Sequence, residues 1–162
     1  MSRISKSRGG VIVIGREDKE ANDLFYVCSM IDYIARKTKN RRRDVVDALG
    51  STRIEKLYDL ADVYHCDNID KVSDQFIVDS GLTEGNFDNV VDCLYGIPTH
   101  WDIGKVYKRL VLGIARTKNV GVIDALFLAY SSFVSDKIDD YNSSFYYEYS
   151  GNILVSFLQE VN

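Results

Sequence analysis

Prolines and cysteines are scarce in this 162-residue chain, which has one proline and three cysteines. Cys28, Cys66 and Cys93 are widely spaced and odd in number, which is typical of reduced thiols rather than of a disulfide framework. No apolar run approaches the roughly 18 residues of a membrane-spanning helix, and the first ten residues lack the apolar core of a secretory signal. We therefore expect a cytoplasmic protein that does not enter a membrane.

The familiar patterns of catalytic and metal sites are also missing. The sequence contains no glycine-rich phosphate loop, no Gly-x-Ser-x-Gly elbow and no His-Glu-x-x-His pair. Two histidines and three scattered cysteines do not provide the four ligands of a structural zinc site. The net charge of −4 argues against a dedicated nucleic-acid-binding protein, which is usually basic. We expect no metal, no cofactor and no enzymatic activity.

What the chain does have is an internal repeat. The segment 45–49 (Val-Val-Asp-Ala-Leu) recurs as 122–126 (Val-Ile-Asp-Ala-Leu), 77 positions later. In the same register Asp59, Asp62 and Tyr64 align with an identical Asp-x-x-Asp-x-Tyr segment at 136–141, giving 7 identities over 21 positions. Two copies are too few for a solenoid, so the repeat predicts two similar units packed face to face.

Helical periodicity dominates both copies, and the scarcity of proline fits a mainly α fold. We predict two pseudo-repeated units of three to four helices, at 18–79 and 99–162, joined by a connector helix at 80–98. Residues 1–17 are expected to form a flexible N-terminal arm. Within it, the β-branched run Val11–Ile14 is expected to be extended.

Particular residues mark the predicted helix ends. Gly50 should separate two helices of the first unit, and Thr99 followed by Asp102 resembles a capping box that opens the second unit. Thr83 is the predicted cap of the connector helix, whose apolar stripe would include Val91 and Leu94.

The repeated acidic segment is the first candidate site. Asp59 and Asp62 are three residues apart, so a helix places both carboxylates on one side. With Tyr64 and His65 they would capture a cationic group of a partner, or they would satisfy backbone donors or arginines where the unit turns. The second copy has Asn142 and Ser143 in place of His65 and Cys66, so the repeat does not require a metal or a Cys-His nucleophile there.

Aromatic side chains form a second candidate site. Tyrosine offers a large rigid surface and a hydroxyl, which suits protein recognition, but these residues would serve equally well in packing between the halves. Trp101 is likewise an anchor between the halves or a platform for a ligand. The candidate partner-binding residues in this segment are Tyr141, Asn142, Tyr146, Tyr147 and Tyr149.

A basic cluster lies at a predicted turn between helices of the first unit. Such a cluster can meet phosphate groups or an acidic protein surface, or it can be a solvated loop. The second copy has no equivalent cluster, although a DNA-binding protein with two-fold symmetry would be expected to have it in both halves. The residues are Arg36, Lys37, Lys39, Arg41, Arg42 and Arg43.

Residues 24–78 resemble a family of short, uncharacterised bacterial helical proteins that have an Asp-Val-x-His segment before a final helix. The resemblance rests on the segment 62–65 and the helix containing Phe76-Ile77, together with Phe25, Cys28, Val45, Leu49, Gly50 and Tyr58-Asp59. Members are commonly encoded beside ADP-ribosyltransferase-like toxin candidates. The resemblance therefore implies an antitoxin or immunity role.

The sequence thus favours a non-enzymatic protein-binding module that neutralises a bacterial toxin by direct binding. Its contact surface would combine the acidic segment, the tyrosine-rich segment and the Val11–Ile14 arm. The alternative is a regulator like a helix-turn-helix protein that binds DNA through the 36–43 basic cluster. The sequence leaves the partner and the oligomeric state open.

Overall fold

A computed structural model describes the backbone of residues 9–160 and the side chains of residues 18–160. In this range the chain forms α-helices and one short 3-10 helix and no strand, so the predicted mainly α fold is confirmed. The elements are α1 Gly9–Thr38, α2 Arg42–Asp59, α3 Ala61–Tyr64, α4 Ile69–Ser80, α5 His100–Lys118, α6 Val122–Ser131, α7 Phe133–Asp139, the 3-10 helix Phe145–Tyr147 and α8 Ser150–Glu160.

Helix α1 begins earlier than the sequence predicts. It is 30 residues long and starts at Gly9, so the extended conformation predicted for Val11–Ile14 is wrong. The β-branched run extends an existing helix, where each added residue gains a backbone hydrogen bond, and a glycine such as Gly15 costs only about 1 kcal/mol. The first eight residues of the predicted flexible arm lie outside the described range.

The core is built around the packing of α1 on α5. Helix α2 packs on α1, α6 packs on α5, and α2 and α6 also touch each other. At the crossing of α1 and α5, a Cβ added to Gly104 would lie 2.9 Å from the Cα of Ser29, so glycine permits the close approach. This packing is compatible with two similar units, at 18–79 and 99–162, and that division stays a prediction.

Two predicted helix boundaries are present. Gly50 has φ 74° and ψ 169°, which breaks α2 into two helical stretches. This backbone conformation is unfavourable for residues with a Cβ. Thr99 accepts a hydrogen bond from the backbone N–H of Asp102, whose carboxylate accepts one from the N–H of Thr99, so α5 begins with a capping box.

The predicted connector helix is wrong, because residues 82–98 contain no helix. Their backbone is hydrogen-bonded to the C-terminal end of α1: the N–H of Gly85 donates to the carbonyl of Thr38 and the N–H of Phe87 to that of Lys39. Val91 and Leu94, expected in an apolar stripe, are exposed. The connector is therefore fixed by hydrogen bonds from outside itself and does not bury an apolar helix face.

Candidate functional site

Most residues of the basic cluster of the first unit are paired within the molecule, and one of them is buried. Arg42, which is 3% exposed, lies between two carboxylates, with one nitrogen 2.6 Å from Asp32 of α1 and the other 2.6 Å from Asp139 of α7. Its guanidinium carbon is 5.2 Å from the centre of the Tyr107 ring. Burial opposes the charge of Arg42, but the surrounding oxygens of Tyr107, Tyr141 and both aspartates outweigh burial and raise its pKa above the usual range. Arg42 is therefore a fixed positive charge inside the fold.

The neighbouring arginines complete this ion network, which we define as Asp32, Arg36, Arg41, Arg42 and Asp139. Arg36 lies 2.7 Å from Asp32, and Arg41 lies 3.2 Å from Asp139. Burial raises the pKa of the Asp139 carboxyl, and the charges of Arg42 and Arg41 oppose that rise. The network joins α1 and α2 of the first unit to α7 of the second.

The remaining basic residues are also mostly engaged. Arg43 bonds to Asp136 at 2.8 Å, and Lys37 pairs with Asp70 and Asp74 at 3.2 and 2.8 Å. Of the six residues considered for phosphate binding, only Lys39 has no charged partner among the described residues. Intramolecular pairing thus leaves little of this cluster for a nucleic acid.

The tyrosine-rich segment divides into core and surface. Tyr141 and Tyr146 are buried, and the Tyr141 hydroxyl accepts hydrogen bonds from Arg36 and Arg42. Asn142 fixes the connector: its amide donates to the carbonyl of residue 92 and accepts from the N–H of residue 94. Asn142 is exposed as well as hydrogen-bonded, and of the tyrosines only Tyr147 and Tyr149 are exposed, at 70% and 75%. Three of the five residues expected at a partner surface therefore have structural positions.

The acidic segment of the first unit lies at the surface. Asp59, Asp62 and His65 are exposed, whereas Tyr64 is half-buried, with its ring 5.5 Å edge-to-face from Phe76. Asp62 and His65 line an open cleft of about 750 Å³ between α1, the α3 region and the start of α5. We call it the aromatic cleft; its lining residues are Asp18, Lys19, Asn22, Asp23, Phe25, Tyr26, Ala61, Asp62, His65 and Trp101.

Rings from three parts of the chain line the cleft. The Phe25 and Trp101 rings are 5.5 Å apart and tilted by 42°, and the His65 ring meets Tyr26 edge-on at 6.0 Å. Tyr26 is only 5% exposed, and its hydroxyl has no hydrogen-bond partner among the described residues. Burial raises the pKa of Tyr26 to about 12, with a smaller contribution from Asp67. The hydroxyl therefore stays protonated.

The charge of the cleft is mainly negative. Asp18, Asp23 and Asp62 line it, and Lys19 supplies the one positive side chain among its lining residues. The Lys19 ammonium is 2.8 Å from Asp23 and 4.0 Å from Asp62, and its side chain is 58% exposed. A cleft with aromatic walls and excess carboxylate is suited to a cationic group.

Sequence reasoning located only one side of this cleft. It named Asp62 and His65, and it left Trp101 open as an anchor or a platform. It missed Lys19 and Asp23, which lie on α1 one turn apart. Their helical spacing with Tyr26 is a signal in hindsight, but polar residues at that spacing are common on any exposed helix face.

The described residues hold no cluster of three or more histidine, cysteine, aspartate or glutamate side chains arranged to bind a metal. Within residues 9–160, no helix has both the length and the apolar character required to cross a bilayer. Comparisons of the chain with protein-family models, with curated proteins and with solved structures gave no match.

Proposed function

We propose that the protein is a non-enzymatic binding module that holds a partner protein through the aromatic cleft. The observation that carries this proposal is the cleft itself, where aromatic and acidic side chains line an open surface outside the ion network. Aromatic anchors in a pocket with a polar rim are typical of the energetic centre of protein interfaces. Exposed Tyr147 and Tyr149 provide further aromatic surface.

The specific role that we propose is that of an antitoxin or immunity protein, acting in the cytoplasm by covering a bacterial toxin. This role rests on the resemblance of residues 24–78 to the toxin-adjacent helical family. The cleft supports it because Phe25, Asp62 and His65, which carry part of that resemblance, all line it. Neutralising a toxin by binding over it requires no catalytic group on this chain.

Co-expression with the product of the neighbouring gene tests the proposal. A stable complex and restored growth are expected with the native chain, and Trp101→Ala should abolish both because it removes a central ring of the cleft. Lys39→Ala is the matched surface control and should behave as the native chain. Failure of the native chain to form a complex or restore growth would overturn the antitoxin role. Trp101→Ala indistinguishable from native would remove the cleft from the interface.

A further inference from the structure

The two Asp-x-x-Asp-x-Tyr segments have different partners, although their sequences match. In the second unit, Asp136 and Asp139 receive Arg43, Arg41 and Arg42 from the first unit. The equivalent turn of the second unit reads Asn119-Val120-Gly121 and contains no arginine. No arginine pairs with Asp59 or Asp62 among the described residues. One acidic segment is therefore occupied by arginine, and its sequence counterpart is not.

We propose that the aromatic cleft binds an arginine side chain of the partner protein; this inference rests on the proposed function. The arginine would displace Lys19 from Asp23 and Asp62. The chain's own lysine already marks these carboxylates as a position for a cation. It is a weak occupant, because its second contact is at 4.0 Å and most of the side chain is in solvent.

Arginine fits the rest of the cleft better than lysine does. Its planar guanidinium stacks on aromatic rings, two of which, Phe25 and Trp101, line the cleft. It can also form paired hydrogen bonds with a carboxylate. It also has five N–H donors, and the Tyr26 hydroxyl is a buried acceptor that lacks a partner among the described residues. Arg42 combines the same elements inside this molecule, with a tyrosine face and two aspartates around one guanidinium.

The test uses the full-length protein and a short capped peptide with one arginine between two leucines. Matched peptides replace the arginine with lysine or with citrulline, which has nearly the same shape and no charge. Trp101 is the only tryptophan, so its fluorescence reports binding in the cleft directly. We expect the arginine peptide to bind about tenfold more tightly than the citrulline peptide.

Variants locate the site on the protein. Asp62→Asn and Asp23→Asn should each weaken the arginine peptide several-fold, whereas Lys19→Met should strengthen it by removing the competing ammonium. Asp59→Asn is the matched control, because Asp59 is an exposed carboxylate that does not line the cleft. Circular dichroism should be the same for all four variants, since each changed side chain is at the surface or at the rim of the cleft.

Equal binding of the arginine and citrulline peptides would overturn the inference, as would weaker binding by Lys19→Met. A Trp101 signal that changes with protein concentration alone would make a second copy of this chain the occupant and would also overturn it. If the partner complex still forms with Asp62→Asn and Asp23→Asn but not with Trp101→Ala, the proposed function would be retained and the arginine inference would be rejected. Tight arginine-peptide binding with no partner complex would support the cleft and remove the antitoxin role.

Discussion

Arg42 illustrates how far a single residue can depart from what its neighbours in sequence indicate. It lies within a run of three arginines that predicts a solvated loop or a phosphate site, yet it is buried between Asp32 and Asp139. The sequence alone does not indicate this pairing, since Asp139 is 97 positions from Arg42. Nothing local distinguishes Arg42 from Arg41, which is 44% exposed.

Replacing Arg42 with methionine should therefore lower the free energy of unfolding by about 3–5 kcal/mol, because two buried carboxylates lose their shared cation. Arg41→Met is the matched control; it removes a more exposed contact to the same Asp139 and should cost about 1 kcal/mol or less. Urea unfolding followed by circular dichroism measures both. Similar losses for the two variants would contradict the central position of Arg42.

His100 gives a second prediction at this scale, concerning pH. Burial lowers the pKa of His100 below its usual 6.5, although Asp32 partly opposes this. Between the lowered pKa and 6.5 the unfolded chain binds more protons than the folded one, so stability should rise with pH through this window and fall on acidification. His100→Gln should flatten that part of the profile of unfolding free energy against pH. An unchanged slope in the variant would show that other groups cause it.

Among the helices, the packing of α1 on α5 is the central contact, and the other helices pack around this pair. Gly104→Ala places a methyl group 2.9 Å from backbone atoms of Ser29, and neither helix can move away without loosening the core. We expect a loss of about 1–3 kcal/mol in unfolding free energy. Gly96→Ala is the control, because a Cβ there meets nothing within 4 Å, and its effect should stay within about 0.5 kcal/mol. Thermal unfolding of both variants distinguishes the two outcomes.

Helices were predictable from the sequence where local signals decide their ends. The Thr99 capping box and the break at Gly50 depend on residues within one turn, and both are present. The connector was not predictable, because Thr38 and Lys39 hold its backbone from more than 40 positions away. The run Val11–Ile14 was misread because strand propensity depends on a neighbouring strand, and the described residues contain none.

At the scale of the whole molecule, the two units should depend on each other to fold. Helix α1 buries one face on α5, and the ion network joins α1 and α2 to α7. Separate fragments 1–80 and 99–162 would each expose an apolar helix face, and chains of that length are marginally stable even with a complete core. We expect little cooperative unfolding from either fragment alone by circular dichroism. Fragments that melt cooperatively on their own would show that each unit has a sufficient core.

The candidate site was only half predictable for the same long-range reason. Asp62 and His65 are adjacent in a conspicuous segment, whereas Lys19, Asp23 and Trp101 reach them only through tertiary packing. The tyrosine-rich segment shows the opposite error, since tyrosine is a residue type common at interfaces but Tyr141 accepts hydrogen bonds from buried Arg42 and half-buried Arg36. Side-chain type indicated what could bind a partner, and the packing decided which residues remain exposed to one.

The two acidic segments should differ in how well they tolerate substitution. Substitutions at Asp139 leave the buried Arg42 with one carboxylate fewer, so few replacements will be acceptable there. Asp59 and Asp62 pair with no buried charge among the described residues, so substitutions there should leave the fold intact even where they change binding. Adapting the protein to a different ligand would then require substitutions around the cleft only, and the ion network could stay unchanged.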